Sequence, residues 1–262
     1  MLEFSMRERE RERESKGAFT LAEVLITLAV VGIVAASTIP AVVTKLTRQE
    51  YVTKLQKAHN TLVNVYKAAE VEHGPAQFWR GGPTQDAYFI KYLKPQFDIM
   101  ADCGLISNNT TNACMAIPDD YKDLGGGAFT GTLTFVNGWM HSKIVTPDGI
   151  TFSFYTESGD LFAGKNATAD LVAVDVNGKK PPNQVGRDLF FFHSWRETDA
   201  EARANGREAN PVRGVKPAGA NVDYATQIIP TAAPGCSASS TSSGQRGFYC
   251  AAKVLTEGAM NY

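Results

Sequence analysis

The chain lacks the sequence signatures of the common catalytic and nucleotide-binding sites. It has no GxSxG nucleophile elbow, no Walker A loop and no GxGxxG loop. Its histidines are scattered, and they form neither an HExxH motif nor another close metal-binding pair: His59, His73, His141 and His193. We therefore predict that the protein is not an enzyme and that most of these histidines are surface or packing residues.

The chain also lacks an excess of charge of either sign. Its 262 residues carry 26 Lys and Arg against 27 Asp and Glu, which gives a net charge of −1. Surfaces that bind DNA or RNA carry a basic excess that neutralises backbone phosphates. No nucleic-acid partner is therefore expected.

Charge is scarcest in the long apolar run that follows the first 18 residues, which contains a single ionisable side chain. Between Phe19 and Val43 that side chain is Glu23. A run of about 20 apolar residues suffices to cross a lipid bilayer as a helix, so residues 19–43 are predicted to span a membrane. A carboxylate inside such a segment is costly and usually marks a function. Glu23 is therefore expected to need a cationic partner.

Small residues come before this run rather than after it. A secretory signal peptide has a shorter apolar core followed by a small-residue cleavage site, whereas Gly17 and Ala18 precede Phe19 here. Cleavage between Ala18 and Phe19 would create an α-amine one helical turn from Glu23. That amine and the carboxylate of a neighbouring copy could neutralise each other, which would favour helix bundling in lipid.

This stretch resembles the signal of type IV prepilins and type II secretion pseudopilins. In that family a basic and a small residue precede Phe-Thr-Leu-x-Glu and a long apolar helix, as they do in residues 16–40. The resemblance implies cleavage after Ala18, N-methylation of Phe19 and an assembly role for Glu23. Pro40 would be the twenty-second mature residue, where many members have a proline that loosens the helix. The residue before the cut is usually Gly, and here it is Ala18.

Residues 1–18 are predicted to form a cytoplasmic leader that begins at Met1 or Met6. Five basic and five acidic side chains occur there, but orientation follows the Lys and Arg residues near the membrane rather than the net charge. The chain after Val43 should thus lie outside the cytoplasm. The resemblance implies a single-pass protein of the bacterial inner membrane that later enters a pilus or pseudopilus.

Four cysteines lie in the exported part, and none has the CxxC spacing or the His-rich surroundings of a zinc site. An even number in an exported domain favours disulfides. Three pairings are possible. We predict Cys103 with Cys114 and Cys236 with Cys250, because each pair brackets a short polar stretch with little else to hold it. Reduced thiols are the alternative.

An amphipathic continuation of the membrane helix is predicted over residues 44–73. Its apolar residues recur at intervals of three and four and form one stripe: Leu55, Ala58, Leu62, Tyr66 and Ala69. Gly74 and Pro75 then end the helix. One part of a long helix is thus expected in lipid and the other part against a globular head.

The head is predicted to comprise residues 74–262. β-Branched and aromatic residues flank a turn at residues 147–149, which is typical of a hairpin. Further strands are predicted within 127–136, 171–178 and 188–195. We expect an antiparallel sheet of about four strands packed on the helix, an α+β fold that resembles the pilin lollipop.

The end of the chain is predicted in two parts. Residues 196–248 are rich in Ala, Gly, Ser, Asn and Pro and are predicted to form a long, loop-rich excursion. The segment from Tyr249 to Tyr262 resembles the final strand of the family.

One candidate metal site lies in the connection that follows residue 174. Asp175, Asn177 and Asp188 offer oxygen ligands there, and calcium accepts such ligands at flexible geometry. The resemblance points the same way, since major secretion pseudopilins bind calcium. A complete EF-hand sequence is absent, however, and Asp, Asn and Gly are common turn formers. We favour the turn role and keep calcium as the alternative; no other cofactor is expected.

The resemblance implies a structural subunit. Prepilin peptidase would cut it, and an inner-membrane assembly platform would polymerise it with homologous subunits into a type II secretion pseudopilus or a type IV pilus. The size of the head favours a minor subunit over a major secretion pseudopilin. The alternative is an uncleaved, membrane-anchored exported domain that binds or hydrolyses a ligand.

Overall fold

The computed structural model of the protein describes residues 19–79, 86–107, 112–117, 120–130, 140–155, 169–196, 198–204, 213–219, 235–241 and 244–262. Gly17 and Ala18, with the rest of the predicted leader, lie outside the described residues, and so does the side chain of His141. The chain divides into two compact units, Met1–Thr47 and Arg48–Tyr262.

The longest element is helix α1, which comprises the 53 residues Leu21–His73. Its first turn contains a hydrogen-bonded cap made by Thr20 and Glu23. It ends where Gly74 adopts a left-handed φ of 78° and donates its N–H to the Glu70 carbonyl at 2.9 Å. A glycine suits this C-terminal position because it has no Cβ to clash. The predicted end of the helix before Gly74 is confirmed.

In the first unit, α1 presents apolar side chains on all sides. Its most apolar 18-residue window has a mean hydropathy of 2.3, and none of that window is buried. By length and composition, α1 is the one helix among the described residues that could cross a membrane.

In the second unit, α1 buries one stripe of apolar side chains. All five residues of the predicted stripe are buried, so the periodicity prediction is confirmed: Leu55, Ala58, Leu62, Tyr66 and Ala69. Val52 and Val65 extend the same stripe. Helical residues at this spacing share one face, and burying that face is what stabilises the helix in water.

A six-stranded antiparallel sheet, with its strands in consecutive order, forms much of the second unit. Strands β1 to β6 comprise Ala101–Ser107, Met140–Val145, Thr151–Tyr155, Ala169–Asp175, Leu189–Arg196 and Arg213–Pro217. The predicted hairpin is confirmed, since β2 and β3 pair on either side of the turn with Val145 opposite Thr151. The α+β prediction therefore holds at the level of a long helix and an antiparallel sheet.

Two apolar clusters cover the two faces of the sheet. In β5, Phe190 and Phe192 belong to the cluster that contains the buried stripe of α1. Leu189 and Phe191 belong to a second cluster on the opposite face. Successive strand residues point to opposite faces, so a strand that is covered on both faces reads as a continuous apolar run.

Short helical turns connect α1 to β1. Ala76–Phe78 and Lys94–Gln96 are 3-10 turns, and Phe89–Leu93 is a π-helical turn. The Trp79 ring stacks on Tyr92 with centroids 4.8 Å apart. Trp79 Nε1 also donates a hydrogen bond to the carbonyl of Gly74, at 2.7 Å. These contacts hold the connection against the end of α1.

The predicted strands at both ends of the sheet need correction. Residues 127–130 of the predicted first strand form no strand and contribute only an isolated bridge between Lys122 and Ala128. Strands β1 and β6 were not predicted. The predicted excursion at 196–248 contains β6 and a short helix α2, Asp199–Ala204.

The prediction of a final strand is wrong, because Cys250–Glu257 is helix α3. Cys250, Ala251 and Val254 are buried. Val254 follows Ala251 by three residues and Cys250 by four, which is the spacing of one helix face rather than the alternation of a strand. Gly258 ends α3 with a φ of 65° and donates its N–H to the Val254 carbonyl at 2.8 Å.

Both predicted disulfides are present. Cys103–Cys114 joins strand β1 to the segment before β2, across a separation of 11 residues. Cys236–Cys250 joins the segment before α3 to its first residue, across 14 residues. Closing a loop of about 15 residues stabilises a fold by roughly 3 kcal/mol in the chain-entropy description.

The described histidines pack against other rings or are buried. The His59 ring stacks on Phe192 at a centroid distance of 5.6 Å, and the His73 ring meets the Tyr92 ring edge-on at 5.1 Å. Burial lowers the pKa of His193 to about 4. The three are packing residues, as predicted.

Candidate functional site

The candidate assembly residue Glu23 lies in the first turn of α1 and is hydrogen-bonded within that turn. Its Oε2 accepts hydrogen bonds from the Thr20 N–H at 2.8 Å and from Thr20 Oγ1 at 2.9 Å. In return, the Glu23 N–H donates to Thr20 Oγ1 at 3.2 Å. This reciprocal arrangement is a capping box, which satisfies N–H groups that have no partner within the helix. Glu23 Oε1 accepts no hydrogen bond from the described residues.

Thr20 is a site residue that the sequence analysis did not single out. The signal was present, because Thr-x-x-Glu before an apolar run is the pattern of a capping box. Thr20 holds one carboxylate oxygen of Glu23 in place but, being neutral, does not neutralise its charge.

Phe19, the predicted first mature residue, directly precedes this cap and is 83% exposed. Large exposed apolar side chains follow it through the first unit: Leu21, Val24, Leu25, Ile26, Leu28, Val30, Val31, Ile33, Val34, Ile39, Val42, Val43 and Leu46. Soluble monomers seldom expose a contiguous apolar patch above a few hundred Å². This surface therefore needs a cover, and lipid or other protein chains can supply one.

Pro40 lies inside α1, and the helix continues through it. Proline has no N–H, so the Ala36 carbonyl loses its partner in the helix. Hydroxyls bond to the backbone on both sides: Thr38 Oγ1 donates to the Val34 carbonyl and Thr44 Oγ1 to the Pro40 carbonyl, each at 2.9 Å. The apolar segment of α1 therefore lacks one backbone hydrogen bond of the helix. The loosening role of Pro40 stays a prediction.

The connection between β4 and β5 brings the three predicted calcium ligands together. Asp175 is fully buried and accepts hydrogen bonds from the Tyr121 hydroxyl and from the Asn177 N–H, the latter at 3.0 Å. Asn177 Nδ2 also donates to the Tyr51 hydroxyl at 2.8 Å, which ties this loop to α1.

Asp188 closes the same loop from its other end. Its two oxygens accept hydrogen bonds from the N–H groups of Asn183 and Gln184, at 2.7 and 2.6 Å. Within the described ranges, no group of three or more His, Cys, Asp or Glu side chains is placed to hold a metal ion. The carboxylates organise the loop backbone, as the turn role predicts. Calcium binding by Asp175, Asn177 and Asp188 stays a prediction.

Burial gives the two loop carboxyls unusual proton affinities. It raises the pKa of Asp175 well above the ordinary range, and the nearby charge of Asp188 raises it further. Burial also raises the pKa of Asp188, although hydrogen bonds from the backbone of Gln184 and Asn183 oppose that rise. The folded protein therefore holds a proton here more tightly than the unfolded chain does.

Asp175→Asn should remove much of the pH dependence of stability that this pair creates. Because both folded pKa values are raised, the stabilising contribution is complete below about pH 4 and is lost as the pH rises through the folded values. The urea midpoint of the wild-type protein should therefore fall, relative to that of the variant, as the pH rises above about pH 4. Parallel midpoint curves for the two proteins would contradict this assignment.

Another buried carboxylate that the sequence analysis missed holds the C-terminal disulfide segment. Asp123 is fully buried and accepts hydrogen bonds from the N–H groups of Gly125, Gly127 and Gly244, at 2.9, 3.0 and 2.9 Å. Arg246 Nη1 lies 3.6 Å from Asp123 Oδ2. No local signal could have shown this role, because Gly244 is 121 residues away in the chain.

Comparisons with known proteins do not assign a family. The chain matches no family model, no curated protein and no solved structure.

Proposed function

We propose that the protein is a structural subunit of a type II secretion pseudopilus or a type IV pilus. In this proposal, prepilin peptidase cuts after Ala18 and Phe19 is N-methylated. The observation that carries it is the apolar surface of the first unit, exposed on all sides of a helix that continues into the second unit without a break. Lipid covers this surface before assembly, and the same segments of neighbouring subunits cover it afterwards.

Glu23 is the residue that makes assembly selective. Thr20 occupies Oε2, which leaves Oε1 to accept a hydrogen bond from the Phe19 α-amine of a neighbouring subunit. An unpaired charge in lipid costs about 2.5 kcal/mol or more at mid-membrane. Pairing a carboxylate with an ammonium group neutralises both, so subunits that associate are favoured over isolated ones.

The second unit supports an extracytoplasmic head. It contains both disulfides, and disulfides persist in oxidising compartments and are rare in the cytosol. A membrane-spanning helix followed by an exported, disulfide-bonded head is the order of parts expected of a pilin subunit. The head then lies on the filament surface while the apolar helices form the filament core.

Fractionation of cells tests this function against an uncleaved anchor. The full chain is expressed with prepilin peptidase and an assembly platform, and filaments are sheared from the cells. We expect the protein in the sheared fraction, and only in the membrane fraction when the peptidase is deleted. Equal retention in the membrane with and without the peptidase would contradict the proposal.

A further inference from the structure

Arg48, the first residue of the second unit, lies on the side of α1 that faces the β4–β5 loop. The residue one turn further along the helix, Tyr51, accepts a hydrogen bond from Asn177 of that loop at 2.8 Å. Helical residues three apart share a face, so Arg48 is next to the same loop. Its side chain is half-buried.

Arg187 lies in that loop and provides a second guanidinium. It is half-buried, and its Nε is shielded from solvent without a hydrogen-bond partner among the described residues. The preceding residue, Gly186, accepts a hydrogen bond from the Tyr262 hydroxyl. Burial raises the pKa of the Tyr262 phenol, and the Arg187 and Arg48 guanidiniums oppose that rise. One phenol thus lies within electrostatic range of both arginines.

The acidic groups near the two arginines are engaged elsewhere. Glu257 Oε1 lies 3.7 Å from Lys253 Nζ. Both oxygens of Asp188 accept backbone hydrogen bonds. In the described part of the chain, neither arginine forms an ion pair with a carboxylate. Guanidinium groups without a carboxylate partner attract anions, so this basic pair is suited to an external anion.

We propose that Arg48 and Arg187 together bind the phosphate of an anionic phospholipid headgroup. A planar guanidinium presents a fork of donors that matches the oxygens of a phosphate. Arg48 follows Leu46, the last large exposed apolar side chain of the first unit, by two residues, which is a rise of about 3 Å along the helix. Headgroups lie at this depth when the apolar segment spans the bilayer. The inference therefore rests on membrane insertion, which the proposed function also requires.

The test uses the full chain in lipid nanodiscs and follows the melting of the head by near-UV circular dichroism. Discs of phosphatidylcholine alone are compared with discs that contain phosphatidylglycerol. A third sample has phosphatidylcholine discs with added inorganic phosphate, which separates a lipid headgroup from a free phosphate. The variants are Arg48→Gln with Arg187→Gln, and Lys67→Gln as a control. Lys67 is an exposed residue of α1 further from the apolar segment. Its substitution removes one positive charge, as a single arginine substitution does, at a position outside the proposed site.

Phosphatidylglycerol should raise the melting temperature of the wild-type protein by roughly 5 °C. The Lys67→Gln variant should show the same rise, and the double variant should lose most of it. An equal rise in the double variant, or an equal rise with inorganic phosphate alone, would overturn the assignment.

Filament recovery is measured on the same variants. If phosphatidylglycerol does not raise the melting temperature of the wild-type protein but filament recovery is normal, this inference is overturned and the proposed function is not. A chain that does not insert into the discs would contradict both the inference and the proposed function.

Discussion

Replacing Glu23 with glutamine should reduce incorporation into filaments at least about tenfold while leaving the head folded. Glutamine at this position can still complete the capping box with Thr20, so the start of the helix is preserved. It cannot carry the negative charge that, in the proposed assembly, neutralises the Phe19 amine of a neighbouring subunit. An unpaired charge costs about 2.5 kcal/mol or more at mid-membrane and less near the interface. Since about 1.4 kcal/mol corresponds to a factor of ten, recovery of sheared filaments should fall by roughly tenfold or more.

A matched variant separates the charge of Glu23 from its role in the cap. Thr20→Ala removes the hydroxyl that Glu23 bonds but keeps the carboxylate. Losing such a cap costs about 1 kcal/mol of helix stability, so Thr20→Ala should assemble far better than Glu23→Gln. Near-UV circular dichroism shows whether the head of each variant is folded. Normal filament recovery from Glu23→Gln, or the reverse order of the two variants, would contradict the charge-pairing role.

Asp123→Ala should be among the most destabilising single substitutions in the head. It removes the acceptor of three backbone N–H groups and leaves the Arg246 guanidinium beside an apolar side chain. Breaking a buried pair by removing one partner costs about 3–5 kcal/mol. The loss should appear as a lower urea midpoint for the full chain in detergent.

Asp98→Ala is the matched control for that experiment. Asp98 is exposed, and surface substitutions usually change stability by no more than about 0.5 kcal/mol. Similar urea midpoints for the Asp123→Ala and Asp98→Ala variants would show that the Asp123 network does not hold the C-terminal segment in place.

Elements whose apolar residues repeat at a regular interval were predictable from the sequence, and the edge strands were not. Leu55, Leu62 and Ala69 repeat at helical spacing and are all buried. By contrast, β1 contains Gly104 at a bulge, and β6 contains Gly214. Edge strands bury less of their surface and tolerate glycine and bulges, so neither strand carries an alternating apolar pattern.

In the candidate site, the features that depend on nearby residues were predictable from the sequence, and those that depend on distant residues were not. The Thr20 cap and the turn role of Asp175 depend on neighbours within a few residues, and their signals are in the sequence. The Asp123 network, and the position of Arg48 and Arg187 within electrostatic range of one phenol, depend on parts of the chain more than a hundred residues apart. Such pairings follow from topology, which no local pattern encodes.

The mass of the N-terminal peptide tests the central claim most directly. The full chain is produced in cells that contain prepilin peptidase, and its N-terminal peptide is identified by mass spectrometry. The account predicts a peptide that begins at Phe19 and carries an N-methyl group, because only that cut creates the amine that pairs with Glu23. An intact leader beginning at Met1 or Met6 would contradict it and would make residues 19–43 a simple anchor.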